Sequence, residues 1–515
     1  MDKTNIGGFT VGNELSFAKR SERICVPLCE KTVVTELSDD FTLPDYRPEI
    51  RRLLKITASL PTPSSYVCAT SAEFSGDVMY NVIYVGGDGK LCSVDLTAVY
   101  EADTAFSGNE DIENIGAYDE VEAENIIGRV TAPRKLNIRC RLRHLIRATG
   151  ERTLEAELSV NADQDKIIKL TETLPSCFCA FADDDTYEIE ENVPVSGNAR
   201  VITTDAVPFI SDSQVRDGAA AIRGSITLRV LYDSEGSDPI TAERKIPFEA
   251  VIPINADGDG WECRAWGCSA GVSAEAEEGT VKCRIRLSLC AEAQKNLPVQ
   301  ITKDIFATDR ACELIHEEIA CSVGRYCGVG NFTVSGTSEL SGLPESYDII
   351  SSSATAEAEE ISFENGKYIM CGKCRFSALI FGDGEYSCRE FELPFKYEFG
   401  DAEADADDYS AQLACPLVRI RGDKNTMSAD AEICAALKVS GKENIPAVKS
   451  ASFGEAENTG SRPAYTVVYV SDGESLWELS KKYSADPAEI AKANGLKVSS
   501  PASPDSLSGV DFLII

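Results

Sequence analysis

Gly224-Ser-Ile-Thr-Leu-Arg-Val-Leu-Tyr232 has the pattern of a β strand. Ile226, Leu228, Val230 and Tyr232 alternate with Thr227, Arg229 and Leu231. A period close to two puts every second side chain on one face of a strand, so the pattern predicts a sheet with one buried face. Two counterparts exist, Gly76-Asp-Val-Met-Tyr-Asn-Val-Ile-Tyr84 upstream and Cys374-Arg-Phe-Ser-Ala-Leu-Ile-Phe381 downstream. The closing aromatic falls at Tyr84, Tyr232 and Phe381, steps of 148 and 149 residues. A glycine-containing turn follows each stretch and supplies the positive φ of a hairpin. The next run then carries Tyr100, Phe248 and Phe395, with steps of 148 and 147 residues. Two landmarks that agree on one period predict three related β domains.

A further alternating run follows each hairpin, at Leu136–Leu142, Val281–Leu289 and Ala429–Leu437. Cys140, Cys283, Cys374 and Cys434 lie on or beside these strands and read as small buried hydrophobes. The acidic runs Asp183–Glu191, Ala354–Glu360 and Asp401–Asp408 read as linkers, solvated loops or exposed faces. The expected fold class is mainly β: three tandem sandwich-like repeats of about 148 residues and a small βααβ module. Their expected bounds are an N-terminal segment 1–30, repeats 31–165, 166–305 and 306–450, a connector 451–463, and a tail 464–515.

Composition narrows the functional classes. The chain has 515 residues, and 50 Lys+Arg against 84 Asp+Glu leave a net charge of −34. That field repels polyanions, which argues against nucleic acid or anionic lipid as partners. The 19 cysteines are odd in number and show no disulfide-module spacing. Met1–Arg20 holds no apolar core of signal-peptide length, and no stretch reaches the roughly 18 apolar residues of a membrane span. The expectation is a cytosolic protein with reduced, mostly buried thiols.

The tail has a different texture. Val468-Tyr-Val470 reads as a strand, Gly473 as a turn, and Leu476, Leu479 and Tyr483 as one face of a helix. Asp486 reads as the N-cap of a second helix, with Pro487 at its first position, Glu489 in its first turn and Asn494-Gly495 as its stop. Leu507–Ile515 reads as a closing strand.

This order resembles a LysM module. The family's Gly-Asp-Thr-Leu-Trp turn is matched by Gly473-Glu474-Ser475-Leu476-Trp477, and its later Ile and Asn-x-Leu by Ile490, Asn494 and Leu496. The resemblance implies a groove, for N-acetylglucosamine polymers or a protein partner, built from Gly473, Glu474, Ser475, Leu476, Ala493, Asn494, Gly495 and Leu496. Trp477 reads either as an exposed anchor for a partner or as a core tryptophan of the module. At the other end, Leu43-Pro44-Asp45-Tyr46-Arg47-Pro48-Glu49-Ile50 resembles the opening signature of SPOCS-domain proteins, which belong to the spore coat of endospore-forming bacteria. Tandem β repeats with one carboxy-terminal LysM module are similar in order to the SipL-type coat morphogenesis proteins of clostridia. That resemblance implies a scaffold in the mother-cell cytoplasm, at the forespore and coat surface. Its LysM module would dock the coat's morphogenetic, ATP-hydrolysing basal protein, and its repeats would bind other coat proteins. The alternative is a LysM protein that binds peptidoglycan or cortex glycan.

Catalytic and metal sites are not expected. Of the two histidines, His144 lies among cations beside a strand and His316 among acids without a nucleophile pattern. Cys371-Gly-Lys-Cys374 is the single CxxC, where a structural zinc site takes four ligands. Asn255–Trp261 reads as a turn that lacks the distal Glu of a calcium loop, and Gly86–Lys90 as a hairpin that lacks the hydroxyl residue of a phosphate loop. No cofactor is implied, and the chain is expected to be non-enzymatic.

Overall fold

The structure, a computed structural model, describes residues 17–106, 111–160, 166–181, 185–234, 237–256, 258–401, 408–455, 465–471, 473–498 and 500–515. It is mainly β, 79% strand and 4% helix, arranged in antiparallel sheets. The expected connector lies largely within 456–464, outside the described residues.

One pairing order recurs three times along the chain. First come β1 (Phe17–Thr42), β2 (Ile50–Ser59), β3 (Ser64–Val67), β4 (Ser71–Gly86), β5 (Leu91–Ala105), β6 (Ile112–Ala132) and β7 (Lys135–Val160). They form a sheet β1-β7-β6 and a second sheet in which β4 pairs with β2, β3 and β5. Next come β8 (Ile167–Phe181), β9 (Asp185–Arg216), β10 (Ala219–Ser234), β11 (Ile240–Pro253) and the long β12 (Glu262–Ala307). The end of β12 pairs with β8 and the start of β9, while the rest of β9 pairs with β10 and β10 with β11. β12 also folds back on itself near residue 278, since Arg264 meets Glu292 and Arg286 meets the Ala270 carbonyl. Last come β13 (Cys312–Glu339), β14 (Tyr347–Glu364), β15 (Lys367–Gly382), β16 (Glu385–Asp401), β17 (Asp408–Asp423) and β18 (Thr426–Phe453), in sheets β13-β18-β17 and β14-β15-β16. The pairing therefore groups residues 17–160, 167–307 and 312–453.

The central strand of each group carries a glycine under an aromatic ring. Gly76 pairs with Tyr100, Gly224 with Phe248 and Gly372 with Phe395, and the three glycines stand 148 residues apart. At each, the strand on the other side is broken or bulged: β2 gives way to β3, and register shifts fall at Arg223/Gly224 and at Ala358/Glu360. A Cβ on Gly224 would stand 2.1 Å from the Phe209 carbonyl oxygen, and one on Gly372 2.2 Å from that of Glu357. These positions require glycine for room under the ring and beside the bulge.

The groups close into a ring. Ser93 on β5 donates to the Ile202 carbonyl on β9, and Thr241 on β11 donates to the Ile350 carbonyl on β14 at 2.7 Å. From β2, Arg52 donates to the Tyr386 carbonyl and pairs with Glu385 on β16 at 2.8 Å. Ile83, Leu231 and Leu379, spaced by 148 residues, meet Ile202 and Ile350 in one apolar cluster that also holds Leu54.

The three groups also meet in a second apolar cluster, where Ile24 and Val26 join Val299, Ile301, Ile319 and Val323, and through charge. Arg264, wholly buried, donates to Glu120 at 2.7 Å, to the Ser410 hydroxyl at 2.7 Å and to Glu292 at 2.6 and 2.8 Å. Lys438 donates to the other Glu292 oxygen, and Arg147 pairs with Asp408 at 2.8 Å. Arg147, Arg264 and Lys438 thus face Glu120, Glu292 and Asp408, a balanced set in which each buried ion has a partner.

Two expectations are corrected. β10 is buried on both faces: Thr227 is 4%, Arg229 6% and Leu231 3% exposed, because Arg229 reaches the Pro416 carbonyl of the third group and Leu231 joins the apolar cluster. Two of the acidic linkers are strands. Residues 185–191 lie in β9, where Tyr187 and Ile189 pack on the core, and Ala354–Glu360 lies in β14, where Ala354, Ala356 and Ala358 do the same. Acidic residues on their outward faces disguise the alternation. Of the third run, 402–407 lies outside the described residues. All 19 cysteines are free thiols, and Cys140, Cys283, Cys374 and Cys434 are buried. No helix of the described residues is long and apolar enough to cross a membrane.

Gly224→Ala is expected to destabilise the chain by about 1–3 kcal/mol in urea denaturation. Adding Phe248→Ala should not restore it, because the obstructing atom is a backbone oxygen; full recovery would refute the steric account. A second expectation concerns acid. Burial raises the Glu292 pKa, but Lys438 and Arg264 more than offset this and hold it at about 2, below the usual 4.5. A depressed carboxyl contributes stability that is present above pH 4.5 and lost as pH falls toward about 2. The stability gap between wild type and Glu292→Gln, about 3 kcal/mol at neutral pH, should therefore narrow over that window; a constant gap would contradict the network.

Candidate functional site

The tail module comprises β19 (Val467–Tyr469), α1 (Leu476–Tyr483), α2 (Pro487–Ala493), a 3-10 turn (Pro504–Leu507) and β20 (Phe512–Ile514). Leu507–Asp511, expected as strand, is instead the end of that turn and the approach to β20. Val468, Leu476, Leu479, Ile490, Leu507 and Leu513 form its core.

Local chemistry sets both helix starts. The Ser475 hydroxyl accepts from the Glu478 N–H at 3.2 Å, while the Glu478 carboxylate accepts from the Ser475 N–H at 2.9 Å, a reciprocal capping box. Asp486 accepts from the Ala488 N–H at 2.7 Å, with Pro487 at the first helical position. Gly473 and Gly495 hold φ of +85° and +66°, which lets the chain turn into α1 and out of α2.

The nine predicted residues fall into distinct roles. Gly473, Ala493 and Gly495 are exposed, and Glu474, Asn494 and Leu496 are half-buried. The Glu474 carboxylate is occupied by the Ser471 N–H at 2.9 Å. Ser475 is the cap and Leu476 belongs to the core, so neither presents its side chain outward. Asn494 works as a clamp: its amide donates to the Ile490 and Ile514 carbonyls and accepts from the Ile514 N–H, each at 2.8 Å. Leu496 packs against the same core as Leu476, so both predicted segments are rooted in one small cluster.

Trp477 departs from both sequence readings. It is 5% exposed, so it is no exposed anchor, and it is covered from outside the module. Its indole Nε1 donates to Asp304 on β12 at 2.9 Å, and its ring meets Phe306 edge-on at 5.1 Å between centroids. Lys481, one helical turn further, donates to both Asp304 oxygens at 2.8 Å. Asp304 and Phe306 had no signal in the sequence. Strand pairing reveals one: a register shift between Thr302 and Asp304, beside the carboxylate that α1 binds.

The other singled-out groups have structural surroundings. His144 is wholly buried, its Nδ1 2.8 Å from Asp119, and packs on the Tyr100 ring at 5.3 Å. His316 is exposed on β13. Cys371 and Cys374 lie on β15 at an odd spacing, which sends their side chains to opposite faces. Among the described residues no group of three or more His, Cys, Asp or Glu is placed to hold a metal ion. The Gly86–Lys90 segment is a hairpin closed by the Gly86 N–H on the Lys90 carbonyl at 2.9 Å. Gly258 and Gly260 have positive φ, while Asp257 of the same loop lies outside the described residues.

The chain matches no family model, no curated protein and no solved structure.

Asn494→Ala is expected to leave the Ile514 backbone groups unpaired, at a cost of about 1–3 kcal/mol to the module. Amide exchange at Leu513–Ile515 should accelerate while that of β10 and β15 stays constant. Unchanged exchange at Ile514 would show that the clamp carries no stability.

Proposed function

We propose that the chain is a non-enzymatic scaffold of spore-coat assembly. In this reading the ring of β strands is the body, and the tail module docks the coat's ATP-hydrolysing basal protein. The observation that carries the reading is the order of parts: the Leu43–Ile50 signature, three like-paired β groups, and a βααβ tail with LysM-like turn residues.

The signature has a structural role that suits a family marker. Leu43 and Ile50 are buried, their N–H groups bind the carbonyls of Arg134 and Pro133 at 2.9 and 2.7 Å, and Arg134 donates to the Pro44 carbonyl at 2.6 Å. Tyr46, at the tip, is 81% exposed. The acidic net charge suits protein partners rather than polyanions, and nineteen free thiols suit the reducing mother-cell cytoplasm. In the second reading, exposed Gly473, Ala493 and Gly495 would border a groove for N-acetylglucosamine polymers at a coat or cortex surface.

Calorimetric titration of the full chain, and of a chain ending at 453, against the coat ATPase and against chitin oligomers separates the two. Tail-dependent ATPase binding with no response to sugar is the expected result. Sugar binding without ATPase binding would overturn the scaffold reading, as would a diffuse signal from a full-length fluorescent fusion throughout sporulation.

A further inference from the structure

Trp477 and Lys481 lie four residues apart on α1, so their side chains share one helix face. Asp304 and Phe306 lie two apart on β12 and share one strand face. The four meet in a compact arrangement. One carboxylate takes the indole N–H at 2.9 Å and the ammonium at 2.8 Å, while the phenyl ring abuts the indole at 5.1 Å. Phe306 is itself 4% exposed, so the aromatic contact is dry, whereas Lys481 keeps 45% of its side chain in solvent. The ion pair is thus partly screened, and its attraction is of the modest kind that exposed pairs supply.

From this geometry we infer that the β12 segment Asp304-Ile305-Phe306 is a built-in ligand for the tail, and that it holds the α1 face closed against outside partners. The inference rests on the proposed role of the tail as a docking module. It identifies the partner by chemistry: an extended protein segment with a carboxylate and, two residues on, an aromatic ring. Such a segment satisfies the indole N–H and the ammonium with one side chain and covers the indole with the next, as β12 does in cis. It must displace Asp304 and Phe306 to bind, so the apparent affinity of the tail is reduced by the fraction of chains whose module is free. A register shift in the β8–β12 ladder falls between Thr302 and Asp304, directly beside the carboxylate that α1 takes up.

Full-length chain labelled with 5-fluorotryptophan tests this, because Trp261, Trp266 and Trp477 give three resonances that Trp477→Phe assigns. Asp304→Asn is expected to move the Trp477 resonance toward its solvent-exposed position and to raise affinity for the coat ATPase by roughly 5–10-fold. Phe306→Leu should act in the same direction. An unmoved Trp477 resonance in Asp304→Asn would overturn the docking. A moved resonance with unchanged or weaker ATPase affinity would overturn the competition. If neither wild type nor variant binds the ATPase, the docking reading of the tail fails and the competition with it, while the resonance alone still decides whether Asp304 holds Trp477.

Discussion

A guanidinium with no access to water organises this molecule. Arg264 comes from the second strand group, and its five donors are spent on Glu120 of the first, Ser410 of the third and Glu292 of its own. Burying such an ion is unfavourable unless every donor finds an acceptor, and here the acceptors belong to three distant segments. The burial of Arg264 therefore demands the simultaneous presence of all three groups. Lys438 and Arg147 extend the same demand, since Lys438 of the third group closes on Glu292 of the second and Arg147 of the first on Asp408 of the third.

The apolar side of the ring works by repetition instead. Ile83, Leu231 and Leu379 stand 148 residues apart, one in each strand group, and hydroxyl-to-carbonyl bonds from Ser93 and Thr241 repeat at the same step. The three groups also differ. The third closure uses Arg52 on Glu385 and the Tyr386 carbonyl. At the charged junction the groups contribute Glu120, Arg264 and Ser410, which are complementary to one another. A ring of identical units has no need of such divergence; a single chain can exploit it.

Much of the fold was legible because it is local or periodic. Tyr84, Tyr232 and Phe381 disclose the repeat, alternation discloses the strands, and Asp486-Pro487 discloses a helix start, since each depends on neighbours within a few residues. Gly372 repeats the step that separates Gly76 from Gly224, yet only strand pairing reveals the ring of Phe395 above it. What stayed hidden depends on contacts between distant segments. Glu292 and Lys438 sit inside apolar runs, Ala291–Ala293 and Leu437–Val439, where a charge signals something unusual without saying what answers it. Trp477 and Asp304 are 173 residues apart, and no local pattern links them. The acidic stretch of β14 resembles a linker in sequence because exposed Glu357 and Glu359 outweigh the small alanines that face the core.

Taken together, the molecule is a closed β body with a small module resting on it. The body is built of antiparallel sheets, and the module brings a helix face already fitted to an acidic and aromatic segment. The shared burial of Arg264, Glu120, Glu292 and Ser410 requires the three groups to behave as one body. Differential scanning calorimetry of the full chain measures this directly, as the ratio of calorimetric to van't Hoff enthalpy for the main transition. A single transition with a ratio of roughly one is expected if Arg264 and its partners bind the groups into one cooperative unit. Separate transitions, or a ratio of roughly three, would show three domains that unfold on their own.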